Sequence, residues 1–182
     1  LNDELIVKPN SLGSSIGVKA CDKTNYAEQI EAIFLLNDNA LVENRIVNML
    51  EYNQACYRSK DKVVLSAIEN PIKETEILSF DEKYMKSNKG KRTDRVIPAK
   101  ITKKLKDTID SYTTKIYKKL NLNGVVRIDY IYDIDNKILY FNEVNTIPGS
   151  MAFYLFEPIG IDYISLIDDL IDNAQPIKKF SY

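Results

Sequence analysis

Apolar and polar positions change rhythm several times along this chain of 182 residues. It begins with Leu5-Ile6-Val7-Lys8-Pro9, a run that predicts a strand closed by proline. A small-residue loop from Asn10 to Gly17 follows, and Val18 to Ala20 reads as a second strand. Helical spacing starts after Thr24, the expected N-cap, with Tyr26, Ile30, Ile33 and Phe34 on one face. Asn37-Asp38-Asn39 stops that helix, and Ala40 to Glu43 predicts a short strand. Glu51 to Arg58 and Val63 to Ile68 alternate as a hairpin across Ser59 to Lys62, and Asn70-Pro71 marks a boundary. From Ser79 to Arg95 charge dominates, and Phe80, Tyr84 and Met85 are the large apolar groups, the pattern of a surface loop. Thr102 then caps a long helix with Leu105, Ile109, Tyr112, Ile116 and Leu120 as its buried stripe; Asn121 and Gly124 end it. Strands Val125 to Tyr132 and Ile138 to Val144 flank a turn at Asp135-Asn136-Lys137, and Pro148-Gly149 breaks the second. A last helix runs from about Asp162 to Ala174, with Ile164, Ile167, Leu170 and Ile171 inward. Strands, loop, helix, hairpin and helix in this order predict an α+β fold with antiparallel sheets.

Composition narrows the chemistry. With 45% hydrophobic and 28% charged residues the chain suits a packed core. Its 25 basic and 26 acidic residues leave a net charge of -1, which offers no general field for nucleic acid or an anionic membrane. Any anion site must be local. Histidine is absent, so Ser-His-Asp and Cys-His catalysis are excluded. Chemistry falls to carboxylates, Lys, Arg, hydroxyls, backbone amides and hard metal ions. No apolar run reaches the ~20 residues of a membrane span. Cys21 and Cys56 are far apart in sequence and are expected as reduced thiols of a cytoplasmic protein. The opening Leu1-Asn2-Asp3-Glu4-Leu5 lacks an initiator Met and reads as the start of a piece cut from a longer protein.

Three segments carry candidate chemistry. In the last hairpin, Arg127 and Asp129 share one strand face, as do Glu143 and Asn145. A loop of Asp135, Asn136 and Lys137 would set Asp129 opposite Glu143 and Arg127 opposite Asn145. Paired carboxylates on one face call for a cation, and Mg²⁺ prefers such hard oxygen donors. A solvated outer face with an Arg–Asp pair is the plain alternative, with Val126, Ile128, Tyr130 and Val144 toward the core. The second segment is Lys8-Pro9 followed by Gly13-Ser14-Ser15-Ile16-Gly17, whose backbone amides could turn toward a phosphate. It lacks the Gly-Lys-Ser/Thr ending of a P-loop, and such a loop is as often merely a turn. The third, Phe80-Asp81-Glu82-Lys83-Tyr84, is an aromatic anchor within the charged loop, which suits a lid; a bare surface loop is the alternative.

Taken in order, strand-Lys-Pro, Gly-Ser-Ser-Ile-Gly, Val42-Glu43, Glu51, Asp-Glu-Lys-Tyr, Arg-Ile-Asp and Asn-Glu-Val-Asn-Thr-Ile-Pro-Gly resemble the D-alanine–D-alanine ligases, from about Leu5 to Ala174. The most specific piece is Asn145-Thr146-Ile147-Pro148-Gly149 in the final hairpin. The resemblance implies an ATP-grasp fold, in which two antiparallel sheets with helices hold ATP between them. It implies a nucleotide-binding subdomain over residues 1–72 and a C-terminal subdomain over 73–182, with a lid at 79–95 and a metal-binding hairpin at 125–145. Lys8 would contact the α- and β-phosphates, and the loop with Ser14 and Ser15 would fold over them, Ser14 beside the transferred group. Glu43 would bond the adenine amino group, the backbone at Ile46 the ring edge, and Glu51 the ribose. Lys83 would reach the γ-phosphate and Tyr84 would support the closed lid. Asp129, Glu143 and Asn145 would hold two Mg²⁺ ions, replaceable by Mn²⁺, and Arg127 would stabilise the transferring phosphoryl group. Gly149, Ser150, Tyr154 and Leu155 would meet the acceptor amino acid. The implied activity joins a carboxylate to an amine through an acylphosphate, making a D-alanyl-D-alanine-type dipeptide for cell-wall precursors. Other acceptors (D-serine, D-lactate) and a nucleotide-binding module without catalysis are the alternatives. ATP and small D-amino acids are the expected partners, and the resemblance allows a homodimer of the full-length protein.

The chain departs from the family pattern at several points. The step from Glu43 to Glu51 is one residue longer than usual. Tyr154-Leu155 stands where a Ser-Leu pair usually meets the acceptor carboxylate. The first-substrate domain and a further phosphate-binding lysine would lie upstream of Leu1. The isolated chain is therefore not expected to be a competent ligase.

Overall fold

The computed structural model describes residues 3–11, 16–36, 39–72 and 95–174. They form two compact units, Leu1–Met49 and Leu50–Tyr182. The division differs from the sequence-based 72/73 boundary. Only the strands over residues 49–71 lie in the same sheet as the last hairpin, while the earlier strands form a sheet of their own.

In the first unit, strands β1 (Glu4–Pro9), β2 (Lys19–Asp22) and β3 (Ala40–Asn44) form a sheet in the order β2-β1-β3, with helix α1 (Tyr26–Phe34) packed on it. Both pairings are antiparallel. Alternation along β1 sends Leu5 and Val7 into a small core with Cys21 and Ile33, and leaves Ile6 and Lys8 on the other face. Thr24 is not the cap of α1. It donates its N–H and hydroxyl to Asp22 Oδ1 in a local turn, and Asn25 takes the N-cap position without a side-chain cap bond. Gly17 has φ +76, and an added Cβ would lie 2.8 Å from Pro9 Cγ, so glycine is required twice over.

The second unit carries a five-stranded sheet in the order β6-β5-β4-β7-β8. Its strands are β4 (Met49–Ser59), β5 (Lys62–Pro71), β6 (Arg95–Val96), β7 (Val126–Asp133) and β8 (Ile138–Asn145). The β4–β5 register slips between Gln54 and Cys56, where Ser66 and Ala67 of β5 stand against the single residue Ala55, which donates its N–H to Ser66 Oγ. The helices are α2 (Lys103–Lys119) and α3 (Tyr163–Asp172), with short 3-10 segments at Gly149–Leu155 and Glu157–Ile159. One core cluster joins Tyr52, Cys56, Ile68, Ile109, Tyr117, Val126, Ile128 and Tyr130. Another joins Ala55, Tyr57, Val125, Ala152, Leu155, Phe156 and Leu166.

The buried stripes of both helices match expectation in part. On α2, Thr102 caps as predicted, Ile109 is buried, and Leu105 and Ile116 pack against the same core, but Thr113 and Tyr117 are the other fully buried groups while Tyr112 and Leu120 are exposed. Polar atoms explain the difference: Thr113 Oγ1 bonds the Tyr130 hydroxyl at 2.8 Å, and Tyr117 donates to the Gly124 carbonyl at 3.0 Å. On α3, Leu166 is buried and Leu170 packs beside it as expected, while Ile164 and Ile171 are exposed. Asp169 holds this face by accepting from the Tyr57 hydroxyl at 2.8 Å and from Ser59 at 2.9 Å. Cys21 and Cys56 are buried free thiols. Burial pushes the Cys56 thiol up to about 12, which removes it from nucleophilic chemistry near neutral pH. Among the described residues no single helix is long and apolar enough to cross a membrane.

Candidate active site

The β7–β8 hairpin pairs Arg127 with Asn145 and Asp129 with Glu143, as the sequence predicts. It reaches that register by a different route. Asp133 pairs with Ile138, so the loop spans residues 134–137, one longer than expected. Asp133 starts it by accepting the N–H groups of Asp135 and Asn136, each at 3.0 Å. A register shift next to Asp129 then restores the predicted pairing. Behind this face Val126, Ile128 and Tyr130 are buried, which fixes the strand's orientation.

On the other face, Arg127 donates from Nε and Nη2 to the two Asp129 carboxylate oxygens, each at 2.7 Å. Asp129 is 9% exposed, so this paired geometry is partly shielded from water. The hydrogen bonds from Arg127 to Asp129 hold the guanidinium charged far above its ordinary range, against the opposing effect of burial. Asn145 Nδ2 donates to Asp129 Oδ2 at 3.0 Å and reaches Glu143 Oε1 at 3.5 Å. An amide hydrogen-bond donor therefore lies between two carboxylates, where a cation would also be attracted.

The segment after β8 turns sharply. Ser150, Met151 and Ala152 have φ of 50°, 52° and 49°, three successive left-handed residues that are not glycine. Each costs about 1–2 kcal/mol, so the surrounding packing must impose the turn. Ala152 and Leu155 are fully buried and anchor it. The Leu155 side chain thus sits in the core, and any part it plays toward a substrate falls to its backbone. Gly149 has open space where a Cβ would stand, and Ser150 is exposed. Tyr154 is half-buried, and its hydroxyl donates to Glu69 Oε1 at 3.2 Å. Arg95, the last residue of the expected lid range, lies in β6 with its guanidinium 4.7 Å from the Tyr154 ring centre.

In the first unit, Lys8 and Glu43 form a direct ion pair on the open sheet face. The resemblance gives these two residues to opposite parts of the nucleotide, so they would have to separate to bind it. Glu43 is exposed and Lys8 partly so, and such a pair near water is worth only ~0–1 kcal/mol. Ile46 follows β3 in a loop, half-buried. Glu51 lies on β4 in the second unit, also half-buried, so the longer step from Glu43 crosses the division between units. Ser14, Ser15, Lys83 and Tyr84, with the rest of the predicted lid up to residue 94, lie outside the described residues.

Comparison with known proteins decides the family. The model of the D-ala D-ala ligase C-terminus matches residues 4–172. This chain belongs to the D-alanine–D-alanine ligase family. It is 40% identical over 171 residues to a D-alanine–D-alanine ligase of Thermosipho africanus, covering 93% of this chain and 46% of that protein. The D-alanyl-alanine synthetase A of Vibrio cholerae is similar in structure, with a TM-score of 0.77 at 27% identity, over 94% of this chain and 51% of that one. The VanG D-Ala:D-Ser ligase of Enterococcus faecalis gives 0.74 at 25% identity, over 94% and 50%. The chain spans about half the length of the curated relatives it matches. Its two antiparallel sheets with helices are those of the ATP-grasp C-terminal part.

The family implies ATP and a divalent metal, and the hairpin donors fit the latter. Asp129 and Glu143 offer carboxylate oxygens, and Asn145 offers an amide oxygen once its side chain turns over. All are hard donors of the kind Mg²⁺ takes. Sequence reading missed Glu69. It ends a strongly apolar run, Val63 to Ile68, and lies one residue past the predicted strand. The strand continues through it to Pro71, and Glu69 is only 3% exposed. A charge extending an apolar strand was the available signal.

Proposed function

We propose that the full-length protein carrying this chain is an ATP-dependent ligase that joins a D-amino acid carboxylate to the amine of a second D-amino acid, for peptidoglycan precursors in the cytoplasm. The observation that supports it most is the β7–β8 face, where Arg127, Asp129, Glu143 and Asn145 converge on one side of a rigid hairpin. In this reading the first substrate's carboxylate attacks the γ-phosphorus of ATP, whose bond to the β–γ bridging oxygen breaks, giving an acylphosphate and ADP. The acceptor amine then attacks the acyl carbon and expels phosphate. Arg127, held charged, would face the oxygens of the transferring phosphoryl group. Asp129, Glu143 and Asn145 would hold two Mg²⁺ ions, for which Mn²⁺ can substitute. Bound there, the ions would neutralise phosphate charge. Lys8, Ser14, Ser15 and Lys83 would hold the phosphates, Tyr84 would support a lid, and Glu43, Ile46 and Glu51 would hold the nucleoside. Gly149, Ser150, Tyr154 and the Leu155 backbone would place the acceptor. No histidine is needed, because positioning and electrostatics supply the acceleration.

The test is ATP-dependent phosphate release by the full-length protein, with D-alanine, D-serine or D-lactate as acceptors. Stimulation by one of them is expected, with D-alanine the leading candidate. Glu143→Gln, nearly isosteric on an exposed strand face, should abolish metal-dependent release while stability shifts by no more than ~0.5 kcal/mol. Normal Mg²⁺ dependence in that variant would remove Glu143 from the metal site. ATP binding without turnover under all acceptors would favour the non-catalytic module instead.

A further inference from the structure

Glu69 is a buried carboxylate that the ligase chemistry described above leaves unused. Its Oε1 accepts from Asn53 Nδ2 at 2.9 Å and from the Tyr154 hydroxyl at 3.2 Å. Its Oε2 is buried and accepts no hydrogen bond among the described residues; the Arg95 guanidinium is 3.7 Å away, outside normal bonding distance. A carboxylate so enclosed is costly unless charge or hydrogen bonds compensate it. Arg95 from β6 supplies the nearest positive charge, and Arg127 from β7 also feels the Glu69 field. Arg95 meanwhile lies over the Tyr154 ring. Tyr154 is thus held at two places: its hydroxyl by Glu69, and its ring face by a cation that Glu69 itself attracts. That leaves the phenol little rotational freedom at the end of a segment whose backbone is already strained.

We propose that Glu69 is a positioning residue for the acceptor side of the site, fixing the Tyr154 hydroxyl and, through Arg95, the Tyr154 ring. The assignment rests on the ligase reading, in which Tyr154 meets the acceptor. Glu69 touches no substrate in this scheme and acts through Tyr154. The phenol's titration reports the tie independently of turnover. Burial raises it, and the Glu69 charge and hydrogen bond raise it further, while Arg95 and Arg127 lower it.

The experiment uses the full-length protein with Glu69→Gln, Tyr154→Phe and the double variant. Glu69→Gln should raise the acceptor KM about tenfold, the scale of one lost charged hydrogen bond. The KM for ATP should stay within about twofold. The double variant should be worse than Tyr154→Phe by much less than Glu69→Gln alone costs, because the hydroxyl contact is shared and only the ring contact through Arg95 is left to lose. In protein labelled with ¹³Cζ-tyrosine, with Tyr154 assigned by its loss in Tyr154→Phe, Glu69→Gln should lower the Tyr154 titration point. Multiplicative effects in the double variant, an unmoved acceptor KM or an unmoved Tyr154 titration would each overturn the proposal. If Glu69→Gln does not fold, Arg95→Gln takes its place: the Tyr154 titration should rise and the acceptor KM should increase, and no change in either overturns it. Absence of any acceptor-stimulated phosphate release in the wild type would defeat the ligase reading. The tyrosine titration would still decide the Glu69–Tyr154 tie in that case.

Discussion

The two units hold their candidate site residues in opposite ways. In the second, Arg127, Asp129 and Asn145 are joined by short hydrogen bonds on a hairpin whose other face is sealed into a core of tyrosines and aliphatics. In the first, Lys8 and Glu43 sit on an open three-stranded sheet over a core of Leu5, Val7, Cys21 and Ile33, tied mainly to each other. One arrangement suits charges whose geometry must not change during reaction. The other suits groups that exchange a weak mutual pair for a ligand. Preorganisation and adaptability thus follow from how much core lies behind each sheet.

The contrast can be broken most severely at Leu166. It is fully buried in the cluster that holds Tyr57, Leu155 and Phe156, and Leu166→Ala should cost about 3–5 kcal/mol. Chemical denaturation measures this; a loss below ~1 kcal/mol would mean that the second unit is not stiffened by this core. Gly17→Ala is the corresponding strain on the first unit, combining positive φ with the approach to Pro9. A loss of about 1–3 kcal/mol is expected, read as faster amide exchange in β1 and β3. Unchanged exchange there would show that the loop and Pro9 can give way. Smallest in stability is Glu43→Gln, which breaks the exposed pair with Lys8 and should cost no more than ~1 kcal/mol. In the full-length enzyme it should nonetheless raise the KM for ATP, and equal KM values would take Glu43 out of the nucleotide site.

Much was readable before any coordinates. The α+β order, the last hairpin and the pairing of Asp129 with Glu143 follow from period-two alternation, which leaves one face apolar and the other charged. The family follows from local strings such as Asn142-Glu143-Val144-Asn145-Thr146, because a motif is a property of adjacent residues. Tertiary structure decided what depends on partners distant in sequence. Thr113, Tyr117 and Asp169 face inward because Tyr130, Gly124, Tyr57 and Ser59 await their polar atoms, and no helical period of apolar residues reports that. Glu69 stood one residue past the predicted strand. Only the sheet, with Asn53 opposite, Arg95 beside it and Tyr154 brought from 85 residues away, made it a buried charge with work to do. A single sequence carries each residue's own preferences, while the free energy of a buried polar group is set by what the fold places against it.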